Sequence, residues 1–185
     1  MLEYKLLKSC DLSSLKHIDR SDQAEEWYLV QDGKLIREKR SFNHPGFSLP
    51  QWQEIIQEFR NQLLKHNLIL YGALESGKLV GAGGLDISQS CGPENNLFNL
   101  GPLWVTASQR GQGIGSQLFD LLKNHAKKHP VAGLYISATP VPSTVDFYLH
   151  QGCRLLSKPD PSLMEKEPED IHLALYFSSP GIEAI

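Results

Sequence analysis

Three glycines fall within five residues in the run Arg110-Gly111-Gln112-Gly113-Ile114-Gly115. Glycine removes the side chain where a ligand must approach the backbone. The apolar run Leu97 to Val105 precedes this loop. A helical pattern follows it, with Ile114, Leu118, Leu121, Leu122 and His125 on one side. A helix that starts here presents unpaired N–H groups and the positive end of its dipole. Together these features suit a phosphate or pyrophosphate, and Arg110 adds a cation at the loop mouth. The same glycines also suit a tight strand-to-helix turn with no ligand. Two common phosphate motifs are excluded. A P-loop requires Gly-Lys-Ser/Thr, but Gly113 is followed by Ile114-Gly115-Ser116. A dinucleotide fingerprint requires G-x-G-x-x-G at the first βα turn, whereas these glycines are spaced G-x-G-x-G and lie late in the chain.

Other reactive side chains offer less. Cys10, Cys91 and Cys153 are far apart and form no CxxC pair. They predict reduced thiols in a cytoplasmic protein, with neither a disulfide framework nor a metal site. A nucleophilic role for Cys153 would need a base beside it. His150 is three residues earlier on a predicted helix, so a small apolar packing role fits Cys153 better. The chain has 185 residues, with 18 Lys+Arg against 21 Asp+Glu and a net charge of −3. That balance argues against a nucleic-acid binder, which needs a basic face. The first residues lack a basic segment followed by an apolar one. No apolar run approaches the ~20 residues that span a bilayer, so no membrane partner is expected. With 41% hydrophobic and 21% charged residues, the composition is that of one globular domain over 1–185.

Residues on either side must position the glycine loop. Leu2 to Leu7 predicts a short strand. Asp11 caps a helix through about His17, with Leu12, Leu15 and Ile18 on one face. Asp32-Gly33 between two apolar runs predicts a hairpin over 26–39, followed by a loop around Asn43 to Gly46. Pro50 opens a helix with Trp52, Ile55, Ile56, Phe59 and Leu63 at helical spacing. Strands are predicted over 68–74 and 79–86, a loop over 88–96, and a buried strand over 97–105. The helix from Gly113 ends near His129-Pro130, where proline stops it. A strand over 134–137, a helix over 143–151 and a strand over 153–156 follow. A polar loop over 157–169 and a final strand over 171–177 complete the order. The class is α/β. Strands without intervening helices over 68–105 predict antiparallel pairing. The helix between 97–105 and 134–137 predicts one parallel crossover.

The run Leu103-Trp104-Val105-Thr106-Ala107-Ser108-Gln109-Arg110-Gly111-Gln112-Gly113-Ile114-Gly115 resembles the acetyl-CoA-binding core of the GNAT family of N-acetyltransferases. A second match follows in Val145-Asp146-Phe147-Tyr148-Leu149-His150-Gln151-Gly152-Cys153, similar to the family's Phe-Tyr helix and closing Gly-Phe. The element order fits from residue 2 to residue 177. The resemblance implies a mostly antiparallel mixed sheet of about seven strands flanked by helices and splayed at the acetyl-CoA-binding strand. It implies acetyl-CoA as co-substrate and no metal. Leu103 and Val105 match positions whose backbone pairs with the pantetheine arm. The backbone N–H groups of Gly111, Gln112, Gly113, Ile114, Gly115 and Ser116 match the pyrophosphate cradle, with Arg110 counted among the cofactor-binding residues as the cation at its mouth. Tyr148 matches the general acid that protonates the departing thiolate; on spacing alone a half-buried helix tyrosine beside Phe147 is the better reading, which the motif context reverses. Many relatives have Asn where this chain has Thr139-Pro140, and Phe where it has Cys153. Thr139 is therefore only a candidate polar contact to the cofactor.

The implied reaction is direct transfer of an acetyl group to a primary amine, of a small molecule or a peptide, in a ternary complex. Candidate bases are Glu26, Glu75, Asp86 and Glu94, with Asp86 favoured because it closes a strand near the sheet centre. The aromatic arm at about 19–50, with Glu25 and Glu26, and the acidic stretch 160–170 suggest a basic acceptor. A homodimer through the 26–47 arm also fits the resemblance. The alternative to an enzyme is a non-catalytic acyl-CoA-binding regulatory domain. A purely structural glycine loop in a protein-interaction domain is a third reading.

Overall fold

The structure, a computed structural model, describes residues 1–177. Its elements in chain order are β1 (Leu2–Leu6), a 3-10 helix (Leu12–His17), β2 (Asp22–Gln31), β3 (Lys34–His44), α1 (Leu49–Leu64), β4 (Leu68–Glu75), β5 (Lys78–Cys91) and β6 (Leu97–Val105). Then come α2 (Ile114–Ala126), β7 (Gly133–Ala138), α3 (Pro142–His150), β8 (Arg154–Leu155), α4 (Pro161–Lys166) and β9 (Ile171–Tyr176). Among the described residues, β1-β4-β5-β6-β7-β9-β8 form a seven-stranded sheet, and β2 with β3 forms a separate ribbon. The β6–β7 pairing is parallel and the others are antiparallel. No helix of the described residues is long and apolar enough to cross a membrane.

Helices cover both faces of the sheet. On one side, Leu118, Phe119 and Leu122 of α2 are fully buried in clusters with Leu85, Leu100 and Val80. On the other, Trp52 of α1 packs with Leu12, Leu15, Leu68 and Leu70. Ser48 and Gln51 form a capping box, and Pro50 stands in the first turn of α1. Leu12, Leu15 and Ile18 are buried as their spacing predicts, although the helix that carries them is 3-10. A Cβ at Gly81 would stand 2.9 Å from the Trp104 carbonyl oxygen and 3.3 Å from Ile114 and Leu118. That glycine lets α2 approach the sheet closely, which fixes where its N-terminus lies.

The sheet opens at β6. Leu97 to Leu100 pair with Gly133 to Ile136 of β7. Beyond Leu100, β6 keeps its partner β5 only, while β7 runs on against His172 and Ile171 of β9. The cause lies in the register. Gly83 opposes Leu103 and Leu85 opposes Leu100, so Gly101 and Pro102 together stand against Gly84. Two residues against one form a bulge, which bends the strand. Pro102 has no N–H to give to a ladder, and its ring sits where a Gly84 side chain would be, 2.9 Å from that ideal Cβ. The predicted splay is therefore present and has a local origin.

Three predicted boundaries differ. The expected loop over 88–96 begins later: β5 runs to Cys91 and the loop occupies 92–96, with a second irregularity between Asp86 and Ser90. The Asp86 carboxylate accepts from the backbone N–H and hydroxyl of Ser88, which absorbs the extra residues locally. The polar loop over 157–169 contains α4. Asp160 accepts from the backbone N–H groups of Ser162 and Leu163, and Pro161 opens the first turn. The hairpin is longer than predicted, reaching Asp22 and His44, and turns at Asp32-Gly33 with both residues at positive φ.

Candidate active site

The opening between β6 and β7 leads into a cavity of about 740 Å³. Its walls come from the free end of β6, the glycine loop, the first turn of α2, the segment after β7, α3 and the base of the ribbon. Ten of the residues singled out in the sequence line it: Leu103, Val105, Arg110, Gly111, Gly113, Ile114, Gly115, Ser116, Thr139 and Tyr148. Gln112 is exposed and is not part of the wall.

Gly111 and Gly113 hold φ of +76° and +82°, the left-handed region that favours glycine. Gly113 is the N-cap of α2 and supplies no side-chain cap. The first helical turn has no acidic residue, and the first helical bond runs from the Gln117 N–H to the Gly113 carbonyl. The N–H groups of Ile114, Gly115 and Ser116 therefore remain as the unpaired donors of a helix start. A Cβ at Gly111 or Gly113 would meet nothing within 4 Å, so the space outside the loop is open to a ligand. The loop fits a pyrophosphate.

Arg110 serves the loop differently from a free cation at its mouth. Its guanidinium pairs with Asp22 at 3.1 Å and donates to the carbonyls of Ser21 at 2.9 Å and Val105 at 3.3 Å. It is a strut between the start of β2 and the end of β6. The Ser116 hydroxyl accepts from Gln151 Nε2 at 3.0 Å and links α2 to the residue after α3.

Tyr148 is buried on α3, with its ring 5.1 Å from Phe147 and 5.9 Å from Phe119. Burial pushes its phenol well above the ordinary tyrosine value, so it keeps its proton at neutral pH. A protonated hydroxyl facing a cavity can give a proton to a leaving group. Cys153 is also buried, and burial pushes its thiol up to about 12, which removes it as a nucleophile at neutral pH.

None of the predicted bases reaches this cavity. Glu26 pairs with Arg37 at 3.3 Å, Glu75 accepts from Gln109 at 2.7 Å, and Glu94 accepts from Asn96 at 3.0 Å. Asp86 lies at the closed end of β6, opposite Asn99, and turns back on Ser88. The carboxylate that does line the cavity is Asp22, held by Arg110. The proposed acidic lure is also elsewhere. Glu25 and Glu26 line a second cavity with Lys39 and Arg40, and Glu169 pairs with Arg40 at 3.2 Å. Asp170 is half-buried just before β9. Burial, with Glu167 and Glu169 nearby, pushes its carboxyl up to about 7.

Arg20, Asp22 and His44, none of which the sequence singles out, also line the wall, together with Phe42 of the aromatic arm and Trp104. The Arg20 guanidinium lies 4.5 Å from the centroid of Phe47 and 4.7 Å from that of Trp104. These two rings meet edge to face at 5.9 Å, so Arg20 sits in an aromatic corner. Burial and the nearby Arg110 push it down to about 10, so it stays charged at neutral pH.

A model of the acetyltransferase (GNAT) family matches residues 17–153. No curated protein matches the sequence. Several solved structures share the fold. One is an acetyltransferase of Bacillus anthracis str. Ames, named for streptothricin and solved with acetyl coenzyme A, with a TM-score of 0.73 at 20% identity, over 96% of this chain and 99% of that one. The PaiA N-acetyltransferase of Thermoplasma acidophilum, solved with coenzyme A, has a TM-score of 0.63 at 17% identity, over 96% and 99%. The ribosomal-protein-S18-alanine N-acetyltransferase of Escherichia coli has a TM-score of 0.60 at 16% identity, over 100% and 99%.

Proposed function

This chain belongs to the acetyltransferase (GNAT) family, and on that premise we propose that it moves the acetyl group of acetyl-CoA directly to a primary amine in a ternary complex. The observation that carries the proposal is the free edge of β6 at Gly101 to Val105, which opens into the same cavity as the glycine loop and Tyr148. Acetyl-CoA, when bound, supplies the thioester carbonyl and a thiolate leaving group. The free edge around Leu103 and Val105 offers backbone donors and acceptors to an extended arm, as an added strand would. The N–H groups from Gly111 to Ser116 receive the pyrophosphate. A backbone N–H of the same edge polarises the carbonyl under attack. Tyr148 holds a proton on Oη for the thiolate. Thr139 contributes a polar group to the cavity wall. Since Asp22 is committed to Arg110, solvent in the open cavity takes the proton of the incoming ammonium. Residues 1–185 form one domain in this proposal, with the ribbon as its arm, acting in the cytoplasm.

Calorimetry with acetyl-CoA, together with thiol release across an amine library, tests the reading. Binding with thiol release is expected. Binding without release from any amine would return the chain to a regulatory acyl-CoA-binding module. Absence of binding to any CoA species would remove the site.

A further inference from the structure

Arg20 is the charged group in the cavity that the fold leaves without a partner. Among the described residues, no carboxylate lies within 4.0 Å of its guanidinium, and it makes no side-chain hydrogen bond. The nearby carboxylate, Asp22, is taken by Arg110. Its surroundings are the rings of Phe47 and Trp104, which favour a cation but accept no in-plane N–H bond. A half-buried guanidinium that lines a cavity without a partner is matched by a carboxylate, which accepts two parallel bonds.

The position of Arg20 separates it from the pyrophosphate end. Successive residues of a strand point to opposite faces. Leu103 and Val105 pack with Ile114 and Leu118 of α2, on the side of the glycine loop. Trp104 points the other way, 5.5 Å from Trp52 and 6.0 Å from Phe59 of α1. Arg20 stands on the Trp104 side. The α2 side already has its own anion donors in the backbone N–H groups. A second anion site on the opposite face of β6 therefore belongs to the other reactant.

Resting on the transfer reading above, we infer that the acceptor is an amine that also carries a carboxylate, an amino acid or a close analogue, and that Arg20 binds that carboxylate while the amine points toward Tyr148. This replaces the expectation of a basic acceptor. The main cavity sets Arg20 and Arg110 against one carboxylate, Asp22, and the acids of the arm lie outside it.

The test uses the full-length protein, acetyl-CoA, and a panel of the standard L-amino acids and β-alanine, each paired with its carboxamide. Thiol release should favour an acid over its carboxamide by about 10- to 100-fold in kcat/KM, the size expected for a charge-assisted hydrogen-bonded pair. Arg20→Met keeps an apolar stem against Phe47 and Trp104. It should collapse that ratio toward one through KM for the acid, with the Kd for acetyl-CoA held. Arg20→Lys should restore part of the preference. Equal rates for acid and carboxamide would overturn the inference and leave the transfer reading intact. So would a loss of acetyl-CoA affinity in Arg20→Met, which would give Arg20 to the donor. If no amine releases thiol, the transfer reading fails. Calorimetry of the same amino acids on CoA-loaded protein then still decides the role of Arg20: binding lost in Arg20→Met supports it, and no binding by wild type overturns it.

Discussion

Arg37 Nη2 of the ribbon lies 2.6 Å from Asp146 Oδ2 of α3, and Tyr28 closes the link by donating its phenol O–H to Asp146 Oδ1 at 2.7 Å. Arg37 Nε also donates to the Tyr28 oxygen at 2.8 Å, and the Tyr28 backbone N–H donates to the Pro140 carbonyl at 2.7 Å. Asp146 is two residues from Tyr148 on the same helix. The ribbon therefore braces the element that presents the proposed general acid. Arg37→Met should lower kcat by up to about tenfold, because a small displacement of the acid costs rate steeply. KM for acetyl-CoA and the melting temperature should stay near wild type. An unchanged kcat would make the brace structural only.

Tyr148→Phe keeps the ring that packs on Phe147 and Phe119 and removes the hydroxyl. It should cost about 100-fold in kcat, within the range for general-acid catalysis. Acetyl-CoA affinity by calorimetry should hold. Since burial raises the phenol, the falling limb of the wild-type pH–rate profile from this group should lie above ~10, the ordinary tyrosine value. A variant with wild-type turnover would remove Tyr148 from the mechanism.

Gly113→Asp tests the cradle. There is room for the side chain, since an added Cβ meets nothing within 4 Å, but φ of +82° strains any residue with a Cβ. The strain is about 1–2 kcal/mol and Gly113→Ala shares it. The carboxylate adds something alanine cannot: it caps the α2 donors itself and repels a phosphate. The aspartate should therefore lose acetyl-CoA binding at least about tenfold beyond the alanine. Equal losses in the two variants would mean that the helix start does not hold the pyrophosphate.

The sequence carried the proposed donor side of this cavity far better than the proposed acceptor side. The donor side is local: β6 was predicted at its observed bounds, and the glycine loop and first turn of α2 follow directly along the chain. Tyr148 is marked as a candidate by its neighbours Phe147 and Gly152. The acceptor side is assembled from distant pieces. Arg20 has meaning only beside Phe47 and Trp104, which the chain brings together through the ribbon, α1 and the sheet. Asp86 was favoured as a base because it ends an apolar run, but strand register places it by Asn99, away from the opening. The second bulge in β5 hides the strand beyond it, because Ser88, which reads as a loop former, is held by Asp86. Side-chain direction and bulges depend on pairing, which local sequence does not specify.

Asp170 makes a prediction about pH with an unusual sign. Its carboxyl is pushed up to about 7 in the folded chain by burial, with Glu167 and Glu169 adding to it. In an unfolded chain an aspartate titrates at ~3.9. Between these values the folded state binds more protons than the unfolded one, so stability falls as pH rises through this window. The group's burden is absent below ~4 and complete above about 7. Asp170→Asn should therefore stabilise the protein at pH 8 by on the order of 2 kcal/mol, roughly half of the full linkage because the carboxyl keeps contact with water. At pH 4 the gain should vanish. Urea unfolding at both pH values measures it. A gain of equal size at the two pH values would show that amide packing, and not removal of a buried charge, stabilises the variant.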